Sequence, residues 1–173
     1  MKSQSLNPIL WIALAACQLS SPATGPLGVS GHAIPPESIC AYMVASLGVS
    51  AYGGEVFCAY EPLDAQQGLE GRLYLWVLCQ EYVVQRGVIQ PGSGISLPVV
   101  LLVQVQGGSP VFIGHRAPGD GEAYGPEVRM LFPSSTWHQI TPQDETDIRG
   151  YNARADRLEQ ETERQAEATR ADG

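Results

Sequence analysis

The sequence predicts an α+β domain, in which one N-terminal helix packs on a four-stranded antiparallel sheet. Residues 35–48 carry apolar side chains at a helical spacing, and between residues 55 and 115 four segments follow the two-residue period of strands. The links between these four segments are short and contain no helical segment. Consecutive strands are therefore expected to pair antiparallel, and a parallel α/β fold is disfavoured.

The single N-terminal helix is expected to begin near Pro36, because proline is tolerated in the first turn of a helix. Ile39, Met43 and Leu47 recur at every fourth position and form one apolar stripe. Gly48 is a natural C-cap. These residues predict a helix that buries one face against the sheet.

Four strands are expected after the helix, at residues 55–61, 72–84, 95–106 and 111–115. The second and third are apolar on both faces, which indicates central strands that are covered on both sides. Residues 91–94 (Pro-Gly-Ser-Gly) are expected to turn the chain between these two strands, and Gly107-Gly108 to form the next hairpin. A short helix over residues 126–132 should close the domain.

The C-terminal part of the chain, residues 141–173, differs in composition from the rest. Glu, Arg, Ala, Gln and Thr dominate it, and Ile148, Tyr151 and Leu158 are its only sizeable apolar side chains. We therefore expect a charged C-terminal tail, either a solvated helix or disorder, with a partner-binding helix as the alternative. The α+β domain is accordingly assigned to residues 36–140.

The N-terminus has the pattern of an export signal. Lys2 precedes an apolar run at residues 9–16, which is far shorter than the roughly 20 residues of a membrane-spanning helix and is typical of a signal peptide. The run ends in Leu14-Ala15-Ala16-Cys17. This motif resembles the bacterial lipobox, in which a leucine and two small residues precede a cysteine that is lipidated.

The lipobox resemblance implies that residues 1–16 are a signal peptide and that Cys17 is the lipidation site and the mature N-terminus. The protein would then be exported and anchored to a lipid membrane through the acylated Cys17. Gln18, a residue other than Asp, implies the outer membrane if the cell has one, and otherwise the outer face of the cell membrane. Residues 17–35, rich in Ser, Gly and Pro, are expected to be a flexible tether. The alternative is an ordinary secretory signal in which Cys17 is incidental.

The charge balance excludes several classes of function. The formal net charge is −8, and arginines are scattered among 18 acidic residues, whereas a nucleic-acid surface needs clustered positive charge. We therefore expect no nucleic-acid partner. Lys2 is the only lysine, so the mature chain lacks a P-loop lysine, a Schiff-base lysine and a Ser-x-x-Lys nucleophile. No metal-binding motif is present, and we expect neither a metal nor a cofactor.

A longer stretch, from Tyr74 to Pro133, is similar to an uncharacterised domain of bacterial lipoproteins and of the extracytoplasmic regions of membrane proteins. The matching segments are Tyr74-x-Trp76-Val77-Leu78, Ser93-Gly94-x-Ser96-x-Pro98-Val99, Arg116-x-Pro118-x-Asp120-Gly121-x-x-Tyr124 and Leu131-Phe132-Pro133. This resemblance carries no established activity, and it assigns no functional residue.

Three cysteines remain after lipidation of Cys17. Cys58 and Cys79 lie on consecutive predicted strands and form a disulfide if the register allows it. A bridge from Cys40 on the helix and three buried free thiols are the alternatives.

Two groups of side chains are candidates for chemistry or binding. His115, with Asp120 or Glu122, is a weak candidate for an acid/base pair or a cation site, against the alternative of a solvated glycine-rich turn. The aromatic side chains of Tyr74, Trp76 and Tyr82 either line a binding surface on one face of the sheet or fill the core. No catalytic motif is assembled by these residues.

The sequence thus predicts an exported lipoprotein whose domain is a non-catalytic binding or interaction module of the cell envelope. Its partner would be an envelope protein, a peptide or a wall component. The alternative is an extracytoplasmic hydrolase that uses His115 with Asp120 or Glu122, and whether the protein is an enzyme stays open at this point.

Overall fold

The computed structural model describes residues 27–29, 31–63 and 71–171. The predicted signal peptide, the lipidation site Cys17 and the first part of the predicted tether lie outside these residues. The elements in chain order are β1 (Gly28–Val29), β2 (His32–Ala33), α1 (Pro36–Leu47), β3 (Glu55–Pro62), β4 (Arg72–Gln85), β5 (Val88–Gln106), β6 (Ser109–Arg116), α2 (Tyr124–Leu131), α3 (Trp137–Ile140) and α4 (Glu145–Ala171).

The main sheet has four strands in the order β3-β4-β5-β6, and every neighbouring pair is antiparallel. β1 and β2 form a small antiparallel hairpin of their own. The predicted α+β class, the N-terminal helix, the four strands and the short closing helix are confirmed. The architecture is a sheet with helices on both faces.

One face of the sheet packs against α1 and the β1–β2 hairpin. Its core includes Ile39 and Met43 from the helix and Leu75, Val77 and Leu101 from the central strands, all of them fully buried. Because side chains alternate along a strand, every second residue of β4 and β5 points to this face. The predicted apolar stripe of α1 therefore lies where the sequence placed it.

The opposite face packs against α2, α3 and α4. Its core includes Trp76 and Leu78 of β4, Val128 and Phe132 at α2, and Leu158 of α4. The two central strands are thus covered on both sides, as their apolar alternation predicts.

The C-terminal tail is a helix, which is one of the two predicted alternatives, but the expectation that it is solvated is wrong because one side of it is buried. Residues 145–171 form the continuous helix α4, which packs on β3 and β4. The buried residues of α4 are mostly polar: Arg154, Leu158, Glu161, Thr162, Gln165 and Ala166. The sequence pattern failed here because a helix that docks through hydrogen bonds and ion pairs shows no apolar stripe.

The predicted tether extends too far along the chain. Leu27, Val29 and Ile34 are each at most 4% exposed and belong to the core beneath α1. The Ile34 amide also donates a hydrogen bond to the Leu27 carbonyl at 2.7 Å, which closes the β1–β2 hairpin. The folded domain therefore includes Leu27, Val29 and Ile34, whose apolar side chains belong to the core.

The predicted turn at residues 91–94 is also wrong. The chain turns at Arg86-Gly87, where both φ angles are positive, as a two-residue hairpin of the primed type requires. Residues 91–94 instead continue β5, opposite a register shift between Gln80 and Tyr82 of β4. Glu81 occupies this bulge, and its carboxylate explains the glycine in the facing segment, because a Cβ on Gly92 would lie 2.8 Å from Glu81 Oε2.

Glu81 is fully buried and organises the bulge. Its carboxylate accepts six hydrogen bonds of 2.7–3.1 Å, from Ser50 Oγ, Ser93 Oγ and the amides of Ala51, Tyr52, Gly54 and Ser93. Burial alone would raise the pKa of Glu81, but these hydrogen bonds outweigh it and hold the pKa well below its usual range. A buried anion thus fastens the loop after α1 to β5.

Candidate ligand-binding pocket

A disulfide joins Cys58 on β3 to Cys79 on β4, with an S–S distance of 2.04 Å. The two residues are direct partners in the strand register, so the antiparallel pairing brings their sulfurs together. This is the first of the pairings that the sequence left open. Cys40 is disulfide-bonded as well, so the alternative of three free thiols is ruled out. The bridge is 1–2% exposed and belongs to the core.

The weak catalytic candidates do not assemble into an acid/base pair. His115 is half-buried on β6 and lies opposite Leu101, on the face that packs against α1. Its Nδ1 is 3.1 Å from the hydroxyl of Tyr42 on α1. Asp120 and Glu122 are exposed, and within the described ranges no hydrogen bond or ion pair joins either of them to His115.

The side chains of the predicted aromatic surface pack against the C-terminal helices. Trp76 is 4% exposed and lies beneath α4, in edge contact with Tyr151 at 5.1 Å between ring centroids and under the Arg154 guanidinium at 5.4 Å. Tyr74 packs against Phe132 near the end of α2. The Tyr82 hydroxyl lies 3.0 Å from Thr162 Oγ1. These aromatic residues hold the C-terminal helices on the sheet, which favours the core alternative.

The face that carries α2 and α4 is left open at the end where β4 begins and β6 ends. A cavity of about 250 Å³ opens there, lined by Arg72, Val100, Leu102, Arg116, Met130 and Leu131, and we call it the arginine pocket. The strand register explains the arrangement, since Arg72 lies opposite Leu102 and Arg116 lies opposite Val100. Direct partners on antiparallel strands point to the same face, so both arginines flank an aliphatic floor.

The two guanidinium groups of the arginine pocket have no counter-ion among the described residues, although the chain is acidic. Arg149, Arg154, Arg157 and Arg164 all form ion pairs with glutamates. By contrast, in the part of the chain that the structure describes, no carboxylate pairs with Arg72 or Arg116, and both side chains are exposed. Their ten donor N–H groups are available to a ligand.

The floor and rim of the arginine pocket are apolar. Val100 is 2% exposed, whereas Leu102 is only half-buried. Gly114 faces Leu102 across the strand pair, and a Cβ there would point to within 4.0 Å of Leu102 Cδ1, so a side chain at this position would cover the floor. Met130 on α2 is 73% exposed at the rim, and methionine adapts readily to a bound apolar group.

Two other depressions carry less favourable chemistry. A cavity of about 490 Å³ beside the end of α4 contains Arg170 together with Glu163 and Glu167, so the positive charge there is offset by two negative charges. A cavity of about 410 Å³ beside α3 contains Trp137, but Arg129 already stacks over that ring at 6.0 Å from its centroid.

The sequence did not identify the arginine pocket. Arg72 and Arg116 lie far apart in the chain, and nothing in the sequence indicates that any two arginines are neighbours in space. A correct register for β4, β5 and β6 would have placed both on one face, but the register depends on two bulges that the alternation of side chains does not reveal.

Comparison of the chain with models of known protein families, with curated proteins and with solved structures finds no match. The resemblance over residues 74–133 therefore stays a prediction. In the described part of the chain, no helix combines the length and the apolar character needed to cross a membrane. Among the same residues, no group of three or more His, Cys, Asp or Glu side chains is placed to hold a metal ion.

Proposed function

We propose that this protein is an exported lipoprotein, anchored to a membrane through an acylated Cys17, whose domain is a non-catalytic binding module of the cell envelope. The anchor is supported by the Leu14-Ala15-Ala16-Cys17 motif and the apolar run before it. The arginine pocket is the observation that carries the binding function. It combines two unpaired guanidinium groups with an aliphatic floor.

The anchor would hold the domain close to the lipid. Leu27 is the first core residue in the described part of the chain, and ten peptide units separate it from Cys17. A fully extended chain gains at most about 3.5 Å per residue, so the tether reaches at most about 35 Å. Leu27 is then held within that distance of the membrane, and the ligand or partner of the domain is a wall component, a peptide or an envelope protein at the membrane surface.

The arrangement of the titratable side chains supports a binding role over hydrolysis. General acid–base catalysis needs a base within hydrogen-bond reach of the proton that it moves. His115 is instead next to Tyr42 on the opposite side of the sheet from the arginine pocket. Asp120 and Glu122 are exposed and do not contact it.

The anchor is tested by intact-mass analysis of the protein from the membrane fraction. We expect the mass of diacylglycerol and fatty acyl groups on a chain that begins at Cys17, and its loss in Cys17→Ser. Ser21→Ala, four residues beyond the motif, is the matched control and should keep the modification. A lipidated sulfur is unable to form a disulfide. Cys58 and Cys79 pair with each other and Cys40 is disulfide-bonded as well, so a Cys17–Cys40 peptide in a non-reducing digest would contradict the proposal.

The binding role is tested by assaying the full chain and His115→Ala against ester, peptide and glycan substrates. We expect no turnover by either protein. A turnover that His115→Ala abolishes would contradict the proposal and support the hydrolase.

A further inference from the structure

We propose that the arginine pocket binds a small amphipathic anion, namely one carboxylate or phosphate group on a short apolar chain. This inference rests on the proposed binding function and assigns its ligand class. Of the two other cavities described above, one places Arg170 beside two glutamates, and in the other Arg129 lies over the Trp137 ring.

The anionic group follows from the placement of the two arginines. Arg72 on β4 and Arg116 on β6 flank β5 and lie opposite Leu102 and Val100, so their backbones are two strand spacings apart across the sheet and two residues apart along it, about 12 Å. Two arginine side chains on the same face are long enough to reach one anion placed between them. Guanidinium groups bind carboxylate and phosphate through paired hydrogen bonds, which suits both head groups equally.

The net charge of the chain makes this local arrangement necessary. At −8, the protein repels anions at long range. An anion is therefore held only through direct contact with Arg72 and Arg116, and such contacts weaken as salt rises.

The apolar chain follows from the floor and the size of the pocket. Val100, Leu102 and Leu131 offer aliphatic surface, and Met130 stands at the rim. The cavity of about 250 Å³ is smaller than the ~300–1,000 Å³ typical of sites for drug-sized ligands, so it suits a chain of a few carbons. Each methylene buried there should raise the affinity about fourfold.

The test uses the full-length chain, labelled at the methionine methyl groups and followed by NMR. Met130 reports on the pocket, and Met43, fully buried beneath the opposite face of the sheet, is an internal reference. The probes are pentanoate, pentyl phosphate, pentanol, acetate and inorganic phosphate. We expect pentanoate and pentyl phosphate to shift Met130 but not Met43, and both to bind more tightly than acetate and inorganic phosphate.

Arginine variants separate the guanidinium contacts from general charge. Arg72→Gln and Arg116→Gln should each weaken pentanoate binding about tenfold or more. Arg86→Gln is the matched control. It removes the same charge, but Arg86 lies in the turn after β4, at the end of that strand far from the pocket. Equal weakening by all three variants would overturn the proposal, as would pentanol binding as tightly as pentanoate or an unmoved Met130 signal.

The experiments can reject the ligand class and the proposed function independently of each other. If no probe moves Met130 while Cys17 carries its lipid and no turnover is found, the ligand class is rejected and the anchored binding module stands. If Cys17 is unmodified, the anchor is rejected whatever the probes show.

Discussion

Arg157 on α4 donates two hydrogen bonds to the carboxylate of Glu61 on β3, at 2.6 and 2.9 Å. Arg154, one turn earlier, lies 3.8 Å from the same carboxylate and covers the Trp76 ring. The Glu61 and Arg154 side chains are only 12% and 8% exposed. One carboxylate on the sheet thus holds two arginines of the C-terminal helix.

Replacing Glu61 with glutamine should destabilise the domain. The change leaves the buried Arg154 guanidinium without its counter-ion, and breaking a buried pair in this way costs about 3 kcal/mol. Urea denaturation followed by tryptophan fluorescence measures the loss. Glu145→Gln is the control, since its ion pair with Arg149 is 94% and 71% exposed and contributes well under about 1 kcal/mol. Equal losses in the two variants would show that the ion pair does not hold the helix.

Neighbouring leucines on β5 should differ in their tolerance of a charge. Leu101 is fully buried against α1, whereas Leu102 is half-buried in the arginine pocket. Leu101→Asp therefore buries an unpaired carboxylate at a cost of several kcal/mol and should prevent folding. Leu102→Asp keeps its carboxylate at the pocket surface beside the arginines, so the chain should fold but lose affinity for pentanoate. Circular dichroism melts compare them with the exposed Gln104→Asp, and equal damage from both leucine variants would contradict this account.

Glu81 should make stability depend on pH in a defined direction. Its pKa is lowered in the folded chain, so the ionised carboxylate stabilises the fold above the ordinary glutamate pKa of 4.5. That contribution is lost as pH falls below 4.5 towards the folded pKa, because the unfolded chain then takes up a proton at Glu81 while the folded carboxylate stays ionised. Glu81→Gln should therefore be less stable than wild type at pH 7, and the gap should narrow at pH 3.

The stability difference is measured from the urea unfolding midpoints of the wild type and of Glu81→Gln at pH 7 and pH 3. Glu55→Gln is the matched control, since Glu55 is exposed on β3. A gap that stays constant between pH 7 and pH 3 would show that Glu81 contributes through its shape and not through its charge.

The elements that the sequence predicts correctly are those whose burial is apolar. Ile39 and Met43 produce a helical stripe, and the alternation along β4 and β5 indicates strands covered on both faces. In each case the periodicity of the apolar side chains follows directly from the geometry of the element.

The elements that the sequence does not predict depend on polar contacts between residues that are distant in the chain. The interface of α4 is carried by side chains such as Arg154 and Thr162, which look like solvated residues in the sequence. The Pro-Gly-Ser-Gly segment reads as a turn because the buried Glu81 that requires its glycine lies on another strand. The placement of Arg72 and Arg116 in one pocket likewise depends on the strand register, which cannot be inferred from a local sequence pattern.

Helix α4 is part of the domain and covers part of the second face of the sheet. Without it, Trp76 and Leu78 would return on the order of 100–200 Å² of apolar surface to water, which costs about 3–5 kcal/mol. That is comparable with the whole net stability of many domains, about 5–15 kcal/mol.

Thermal melting of two C-terminally shortened chains tests this claim most directly. A chain that ends at Ala168 keeps every buried residue of α4 and should melt within a few degrees of the full chain. A chain that ends at Gln143 loses the helix, and we predict no cooperative transition at 25 °C or above. A cooperative melt of that shorter chain within a few degrees of the full chain would contradict the account and show that α4 is dispensable.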